Sequence, residues 1–309
     1  GFMPDSKLRM FQKISDSIEI VIVISATDIE KNKKRADLGI TYDEDVLRLR
    51  GEFQNRGFMV GSVVITHYNG QPAASAFRQR LERDGIKTYC HYLIEGYPHN
   101  VSLIASDEGF GKNDYVETER PLVIVTAPGP GSGKMAVCLS QLYNENKRGV
   151  RAGYAKFETF PVWNLPLKHP VNIAYEAATA DLNDVNMIDP FHLEAYGKIA
   201  INYNRDIEIY PVLNALFEGI YGSNPYKSPT DMGVNMVGFC ISDDEACCEA
   251  SKNEIVRRYY DATNKMARGA CNEEEISKIQ MLFNQAKINT DFRRTTVAAK
   301  NYKKETGHT

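Results

Sequence analysis

The sequence lacks any apolar run long enough to cross a membrane, and it contains no C-x-x-C pair and no H-E-x-x-H motif. A membrane helix requires about 20 predominantly apolar residues, so we expect no membrane partner. Without the peptidase motif, zinc-dependent peptide cleavage has no support. No signal peptide is visible, and we interpret the six cysteines as reduced thiols of a cytoplasmic protein.

An excess of basic residues is also absent. The 309 residues include 37 Lys and Arg against 40 Asp and Glu, a net charge of −3. Nucleic-acid-binding proteins usually carry a basic excess, so nucleic acid is not an expected partner. A hydrophobic content of 43% and a charged content of 25% are ordinary for a globular protein that buries a large core. Because symmetric self-association is common, we expect a homo-oligomer.

Apolar runs and helical patterns alternate in the first part of the chain. Residues 18–24, 58–65 and 86–90 are apolar or β-branched and are predicted to form buried strands. Helices are predicted over residues 43–56 and 71–84. This alternation indicates βαβ units and a parallel sheet.

A second series of elements is predicted after a connector with one short strand near residues 102–105. It begins with a strand over 121–126, continues with a helix over 133–147, and ends with a strand over 149–158. Helices dominate from residue 206 onward. The fold class is therefore α/β, with parallel-sheet βαβ units and a helical C-terminal part. The expected domains are a Rossmann-like α/β domain at 1–115, a P-loop-like α/β domain at 116–240 and a helical region at 241–309.

The turn between the strand at 121–126 and the following helix is rich in glycine and ends in Gly-Lys. Glycines can take positive φ, so successive N–H groups can point into one concavity, and the helix adds its positive N-terminal end. Lys134 would reach the outer phosphates of a ligand and take part in catalysis. The predicted phosphate-binding residues are Gly129, Gly131, Ser132, Gly133 and Lys134.

The turn departs from the nucleotide-binding pattern G-x-x-x-x-G-K-[ST] at two positions. Pro128 replaces the first glycine, and Met135 replaces the Ser or Thr that binds magnesium. Pro128 and Pro130 also each lack an N–H donor. If the loop binds a nucleotide, ATP and magnesium are the expected cofactors. The structural alternative is a strand-to-helix turn with an exposed lysine.

The densest polar stretch of the chain follows a helix-like run and contains candidate metal ligands. Asp181 and Asp184 are three residues apart, and magnesium prefers one or two carboxylates with phosphate oxygens and water. We predict both as metal ligands, and Asp184 and His192 as catalytic residues, with His192 as a general acid or base. In the alternative, Asp189 caps a helix that begins at Pro190, and the other polar residues form a solvated face.

Four further residues are predicted substrate contacts. Lys156 and Glu158 lie at the expected carboxyl end of the strand over 149–158, where parallel sheets bind ligands. Lys168 and His169 lie in a proline-rich segment that can close over a bound anion. A surface Lys–Glu pair and a surface Lys-His dipeptide are the structural alternatives.

Five segments of the chain carry a family resemblance, namely residues 127–135, 153–160, 164–170, 179–192 and 228–235. Together they resemble a bacterial family of unassigned function, uncharacterised protein family 0371, which is also described as domain of unknown function 1846. The family pattern includes the methionine after the loop lysine. The resemblance covers essentially the whole chain, and because the family's proteins extend further at both ends, the chain resembles a central segment. The resemblance implies no particular activity.

Three functions stay open from the sequence, and whether the protein is an enzyme is not decided. The first is a phosphate- or nucleotide-binding protein with a modified P-loop, which carries out phosphoryl transfer or another ATP-dependent step. The second is an α/β enzyme that binds a phosphorylated or carboxylated metabolite without ATP. The third is a non-catalytic homo-oligomeric assembly protein. The expected partner is a small-molecule anion or a nucleotide.

Overall fold

The chain divides into two compact units. The structure, a computed structural model, describes residues 6–35, 38–158, 161–233, 235, 237–269 and 273–286. Of these, residues 6–154 and 215–224 form what we call the sheet unit, and residues 155–214 and 225–286 form what we call the helical unit.

The sheet unit is built around a parallel four-stranded sheet. The strands are β1 (Ile18–Ser25), β2 (Met59–Tyr68), β3 (Lys87–Tyr92) and β4 (Leu122–Thr126), and their order in the sheet is β3-β2-β1-β4. The chain therefore runs outward from β1 to β3 and then returns to the other side of β1. The helices of this unit are α1 (Ser6–Gln12), α2 (Ala26–Glu30), α3 (Tyr42–Asn55), α4 (Pro72–Arg83), α5 (Val101–Ile104) and α6 (Lys134–Lys147).

Strand β1 is buried along its whole length. Successive side chains point to opposite faces of a strand. The isoleucines of β1 pack with Phe53 of α3 and Phe77 of α4, whereas Val21 and Val23 pack with Val137 of α6. Each fully buried aliphatic side chain contributes about 1.5–3 kcal/mol. Burial on both faces explains why this strand is a continuous apolar run without alternation.

The strand predicted over residues 149–158 is wrong. Gly149, with a φ of 77°, follows the end of α6, and the N–H of Val150 donates to a carbonyl of the last helical turn. This backbone closes a helix end and does not extend as a strand. Further along, Lys156 makes only an isolated parallel bridge, to Gly233.

The short strand predicted near residues 102–105 is also wrong, because these residues lie in or next to helix α5. The side-chain oxygen of Asn100 accepts a hydrogen bond from the N–H of Leu103 and so caps the helix. A run of four residues, three of them apolar, does not by its pattern distinguish a helical turn from a strand, and the cap decides between them here.

The helical unit consists mainly of helices and contains one pair of short strands. Its helices are α7 (Pro170–Ala178), α8 (Pro190–Tyr196), α9 (Asn204–Tyr221), α10 (Pro229–Met232), α11 (Asp244–Ala267) and α12 (Glu273–Gln285). The last residues of α9, from 215, belong to the sheet unit. Helix α9 contains Pro211 without a break. Strands β5 (Asn186–Ile188) and β6 (Ile201–Tyr203) form a small antiparallel pair.

Three helices of the helical unit share one apolar core. Ile173 of α7 packs in a cluster with Ile255 of α11 and Leu282 and Phe283 of α12, and all four are buried. The ring of Phe283 also meets Tyr259 edge-on, with centroids 5.2 Å apart. This cluster sets the relative positions of α7 and α11.

The α/β fold class with a parallel sheet is confirmed, whereas the Rossmann-like and P-loop-like domains stay predictions. The sequence pattern predicts strand β4 in the second domain, whereas in the structure β4 pairs with β1 in the sheet unit. In the part of the chain that the structure describes, no helix is long and apolar enough to span a membrane.

Candidate functional site

The glycine-rich loop follows β4 at the point where the strand order reverses. Because β1 lies between β2 and β4, the carboxyl ends of β1 and β4 border the crevice where parallel sheets commonly bind ligands. The hydroxyl of Thr66 on β2 donates to the carbonyl oxygen of Ser132 at 2.7 Å. A Cβ on Gly133 would lie 3.1 Å from the Thr66 side chain, so the loop sits directly against the sheet.

The loop has a row of backbone N–H groups that face no acceptor. Gly131 and Gly133 have φ of 74° and 87°, a conformation that favours glycine. Residues 130 and 131 form a turn that directs the Ser132 N–H toward the Gly129 carbonyl, whereas within the described residues no acceptor pairs with the N–H groups of Gly131, Gly133 and Lys134. Gly133 is the N-cap of α6 and offers no side chain to them. The N-terminal end of α6 therefore keeps its positive potential and its donors.

The side chain of Lys134 folds back over this loop. Its Nζ lies 3.3 Å from the carbonyl oxygen of Gly129 and 3.5 Å from the Oγ of Ser132. Burial of the side chain lowers the pKa of Lys134. The Ser132 hydroxyl donates to the Gly129 carbonyl at 2.9 Å. The structure thus brings the predicted phosphate-binding residues together, with the cation beside the open N–H groups.

In the helical unit, Lys156 and Glu158 belong to a cluster with Tyr203 and Asp206, which the sequence analysis missed. The Nζ of Lys156 lies 2.9 Å from Glu158 Oε1 and 2.5 Å from Asp206 Oδ1. The Tyr203 hydroxyl donates to Glu158 Oε1 at 2.7 Å and also contacts Lys156. Burial is the main cause that raises the pKa values of Glu158 and Tyr203. No local spacing links Lys156 to a residue 50 positions later, so the sequence carried no signal for this cluster.

A small open cleft with a cavity volume of about 20 Å³ lies next to this cluster. Asn235 is buried, and neither polar atom of its side chain has a hydrogen-bond partner among the described residues. Buried amides are normally satisfied, so the unpaired Asn235 amide is an exception beside the cleft. The residues that line the cleft include Glu158, Trp163, Asn202, Asp206, Thr230 and Asn235.

The two predicted metal ligands have different environments. Asp184 is fully buried, and its carboxylate accepts hydrogen bonds from the Arg205 guanidinium at 2.5 and 2.9 Å. Asp181 is exposed. The ion pair compensates the burial of the Asp184 charge, so a magnesium ion there has to compete with Arg205. Both aspartates belong to the helical unit and the glycine loop to the sheet unit. Their role as metal ligands stays a prediction.

His192 lies in a buried hydrogen-bonded network. Its Nδ1 is 3.0 Å from the Ser228 hydroxyl, which also accepts the N–H of Asp231. Asp189 accepts the N–H of His192 and caps the helix that begins at Pro190, so the capping alternative is confirmed for Asp189. A catalytic role for His192 stays a prediction.

Lys168 and His169 have different surroundings, because one faces solvent and the other contacts protein side chains. Lys168 is exposed. His169 is the N-cap of α7, and its Nε2 lies 2.9 Å from Asp244 Oδ1 and 3.5 Å from Cys248 Sγ, both on α11. The structure therefore joins His169 to two residues that the sequence analysis did not connect with it. Its role as a substrate contact stays a prediction.

Comparison with known proteins places the whole described chain in one family. The profile of the family described as "Domain of unknown function DUF1846, N-terminal" matches residues 1–287. The chain belongs to this family. A protein named "UPF0371 protein" from Streptococcus thermophilus is 58% identical over 307 residues, which is 99% of this chain and 62% of that protein. Relatives from Streptococcus pyogenes and Streptococcus pneumoniae are 58% and 57% identical over the same lengths.

The chain thus spans about 62% of the length of these relatives. The resemblance stated from the sequence motifs is confirmed, and with it the assignment to a family without an established function.

Proposed function

We propose that the glycine loop binds the phosphate or another anionic group of a small molecule. The observation that carries this proposal is the set of N–H groups of Gly131, Gly133 and Lys134, which lack acceptors among the described residues at the start of the 14-residue helix α6. Convergent amides and a helix N-terminus form an anion-binding arrangement. The ammonium group of Lys134 adds a charge-assisted donor at the same place.

A nucleotide is the first candidate ligand, because the loop joins a parallel strand to a helix in the manner of a phosphate-binding loop. Catalysis of phosphoryl transfer would then depend on positioning and on neutralisation of phosphate charge by Lys134. Magnesium would need a ligand in place of Met135, because a methionine side chain offers no oxygen.

The second candidate is a phosphorylated or carboxylated metabolite that binds without ATP and magnesium. Two observations favour it over the nucleotide. The Ser132 hydroxyl is engaged with the Gly129 carbonyl, and the Asp184 carboxylate is engaged with Arg205. An anion cradle needs neither group, since its donors are backbone N–H groups and a lysine. Homo-oligomerisation, the basis of the third function, stays a prediction.

Calorimetric titration of the wild-type chain and two lysine variants tests the proposal. The ligands are ATP with and without magnesium, inorganic pyrophosphate, a hexose phosphate and citrate. Lys134→Ala removes the charge beside the open N–H groups, whereas Lys147→Ala removes an exposed lysine from the other end of α6. A hydrogen bond to a charged group is worth about 1.5–3 kcal/mol, so we expect Lys134→Ala to weaken binding roughly 10- to 150-fold. Lys147→Ala should bind like the wild type.

The ligand that binds separates the two candidates. Binding of ATP that strengthens with magnesium supports the nucleotide, and binding of pyrophosphate, hexose phosphate or citrate without any magnesium effect supports the metabolite. Equal affinities of wild type and Lys134→Ala, or no binding of any of these anions, contradict the proposal.

A further inference from the structure

Three side chains that commonly bind metals converge at the start of α11. Asp244 and Cys248 lie one helical turn apart on α11, and His169 precedes α7. His169 Nε2 is 2.9 Å from Asp244 Oδ1 and 3.5 Å from Cys248 Sγ, and that Sγ is 3.9 Å from Asp244 Oδ2. Within the described residues, this is the one group of three or more His, Cys, Asp or Glu side chains that converges so closely.

The nitrogen–sulfur separation matches one edge of a metal coordination tetrahedron, and the carboxylate lies close enough to supply a third ligand atom. With usual zinc bond lengths, tetrahedral geometry puts the nitrogen about 3.4 Å from an oxygen ligand and about 3.6 Å from a sulfur ligand, and puts oxygen and sulfur about 3.6 Å apart. The nitrogen–sulfur distance of 3.5 Å agrees with this geometry, whereas the 2.9 Å contact with the nitrogen and the 3.9 Å contact with the sulfur involve different oxygens of Asp244. One ligand atom from each of the three side chains lies within 4.8 Å of the other two, and the Asp244 carboxylate is exposed.

The backbone that carries the three side chains is held in place by packing. Residues four apart on a helix share one face, so Asp244 and Cys248 point to the same side of α11. Helices α7 and α11 pack through Ile173 and Ile255 in the core of the helical unit. The side chain of His169 is 9% exposed, and that of Asp244 is 65% exposed. An ion at this point would thus have protein on one side and solvent on the other.

The arrangement differs from that of a cysteine nucleophile with a histidine base. In such a triad the carboxylate hydrogen-bonds to one ring nitrogen and the nucleophile to the other. Here Asp244 and Cys248 both face Nε2 of His169, and Nδ1 accepts the N–H of Val171 at 3.3 Å. Three ligand atoms around one point are what a metal ion requires.

We propose that His169, Asp244 and Cys248 bind a divalent ion of the zinc class, with water as the fourth ligand. A mixed set of sulfur, nitrogen and oxygen ligands suits zinc and cobalt, whereas magnesium and calcium take oxygen ligands. As the metal–sulfur bond forms, the Cys248 thiol loses its proton to solvent. The neutral imidazole donates the Nε2 lone pair, so its proton moves to Nδ1 and the hydrogen bond from Val171 is lost. Losing this helix cap lowers the affinity about fivefold.

Cobalt(II) titration of the full chain tests this site, because thiolate-to-cobalt charge transfer and ligand-field absorption report sulfur ligation and tetrahedral geometry. The variants are Cys248→Ser, Asp244→Asn and the matched control Cys247→Ser, which removes the neighbouring thiol of the same helix. Competition with zinc then measures the zinc affinity. We expect one equivalent of tetrahedral cobalt in the wild type and in Cys247→Ser.

Loss of a ligand should exceed the 10- to 100-fold effect known for groups that only support a ligand. We therefore expect Cys248→Ser to abolish the charge-transfer band and Asp244→Asn to weaken binding by more than about tenfold. Zinc should also raise the melting temperature of the wild type and of Cys247→Ser, but not that of Cys248→Ser. Circular dichroism checks that each variant is folded. A charge-transfer band of equal intensity in Cys248→Ser, its loss in Cys247→Ser, or no cobalt binding by the wild type overturns the proposal.

Discussion

Glu19 is the one charged residue in the buried strand β1, and it is 1% exposed. Its Oε2 accepts hydrogen bonds from the N–H groups of Glu119 and Arg120, at 2.6 and 3.3 Å. A buried carboxylate is costly unless such donors are present. Glu19 therefore holds the segment before β4 against the start of β1. These hydrogen bonds also fix the position of the Glu19 carboxylate.

Gly61 on β2 lies directly beside the Glu19 carboxylate and leaves no room for a larger side chain. A Cβ at Gly61 would lie 1.9 Å from Glu19 Oε1, so Gly61→Ala forces the buried carboxylate away from its donors. Leaving a buried group unpaired costs about 1–3 kcal/mol, and we expect that loss in the free energy of unfolding. Urea unfolding followed by circular dichroism measures it.

Gly51 provides the control for this substitution. It lies in helix α3, and a Cβ there would meet no atom within 4 Å. We expect Gly51→Ala to leave stability unchanged or to raise it by up to about 1 kcal/mol. Similar effects of the two substitutions would contradict the explanation given for Gly61.

His91 makes the sheet unit sensitive to acid. Its Nε2 hydrogen-bonds to the Asp114 carbonyl at 3.0 Å, and its buried Nδ1 has no hydrogen-bond partner in the part of the chain that the structure describes. Burial lowers the pKa of His91 to about 4. The unfolded chain, with a histidine pKa near 6.5, then binds more protons than the folded chain between these values. Stability is therefore full above about pH 6.5 and is lost as the pH falls toward 4.

We expect the wild type to lose about 2 kcal/mol of unfolding free energy through His91 between about pH 7.5 and about pH 5. His91→Gln keeps a donor for the Asp114 carbonyl and removes the titrating ring, so its stability should fall less over the same range. The difference in slope between the two proteins, from urea unfolding at several pH values, measures the effect. Parallel pH profiles would show that His91 is not responsible.

At the scale of elements, capping side chains and a glycine fix where several helices begin and end. Glu44 and Thr41 form a reciprocal capping box at the start of α3, and Gly149 ends α6 with a left-handed residue. At α11, the sequence Ser-Asp-Asp-Glu predicts a capping box that starts at Ser242. The structure instead has Asp243 as the N-cap, with its Oδ1 accepting the N–H of Ala246 at 2.9 Å.

The cap of α11 can be tested with adjacent substitutions. Asp243→Ala removes the side chain that satisfies a free N–H, so we expect a loss of about 1 kcal/mol in the unfolding free energy of the helical unit. Ser242→Ala should change it by less than about 0.5 kcal/mol. Urea unfolding followed by the emission of Trp163, the single tryptophan of the chain, reports on this unit. The reverse ranking of the two variants would restore the capping box at Ser242.

At the scale of the whole molecule, the candidate residues are distributed over both units. The glycine loop belongs to the sheet unit, and Lys156, Asp184, His169 and His192 belong to the helical unit. The sequence pattern predicts Lys156 at the end of a parallel strand, and that strand does not form. The contacts of Lys156 with Glu158 and Asp206 arise instead from the folding of the helical unit.

The sequence by itself determined the parallel sheet, most of the helices and the glycine loop, because these depend on local patterns. Apolar runs of β-branched residues form buried strands, and glycines before a helix form a turn with open N–H groups. It also determined the family, through motifs that extend over the chain.

Only the tertiary structure decided which distant side chains meet. Arg205 neutralises Asp184, Tyr203 and Asp206 surround Lys156, and His169 joins Asp244 and Cys248 across 75 or more positions of the chain. Adjacent cysteines without a C-x-x-C spacing carry no metal signal in the sequence. The ligand set appears only when the packing of α7 against α11 brings an imidazole to the same helix face as a thiol and a carboxylate.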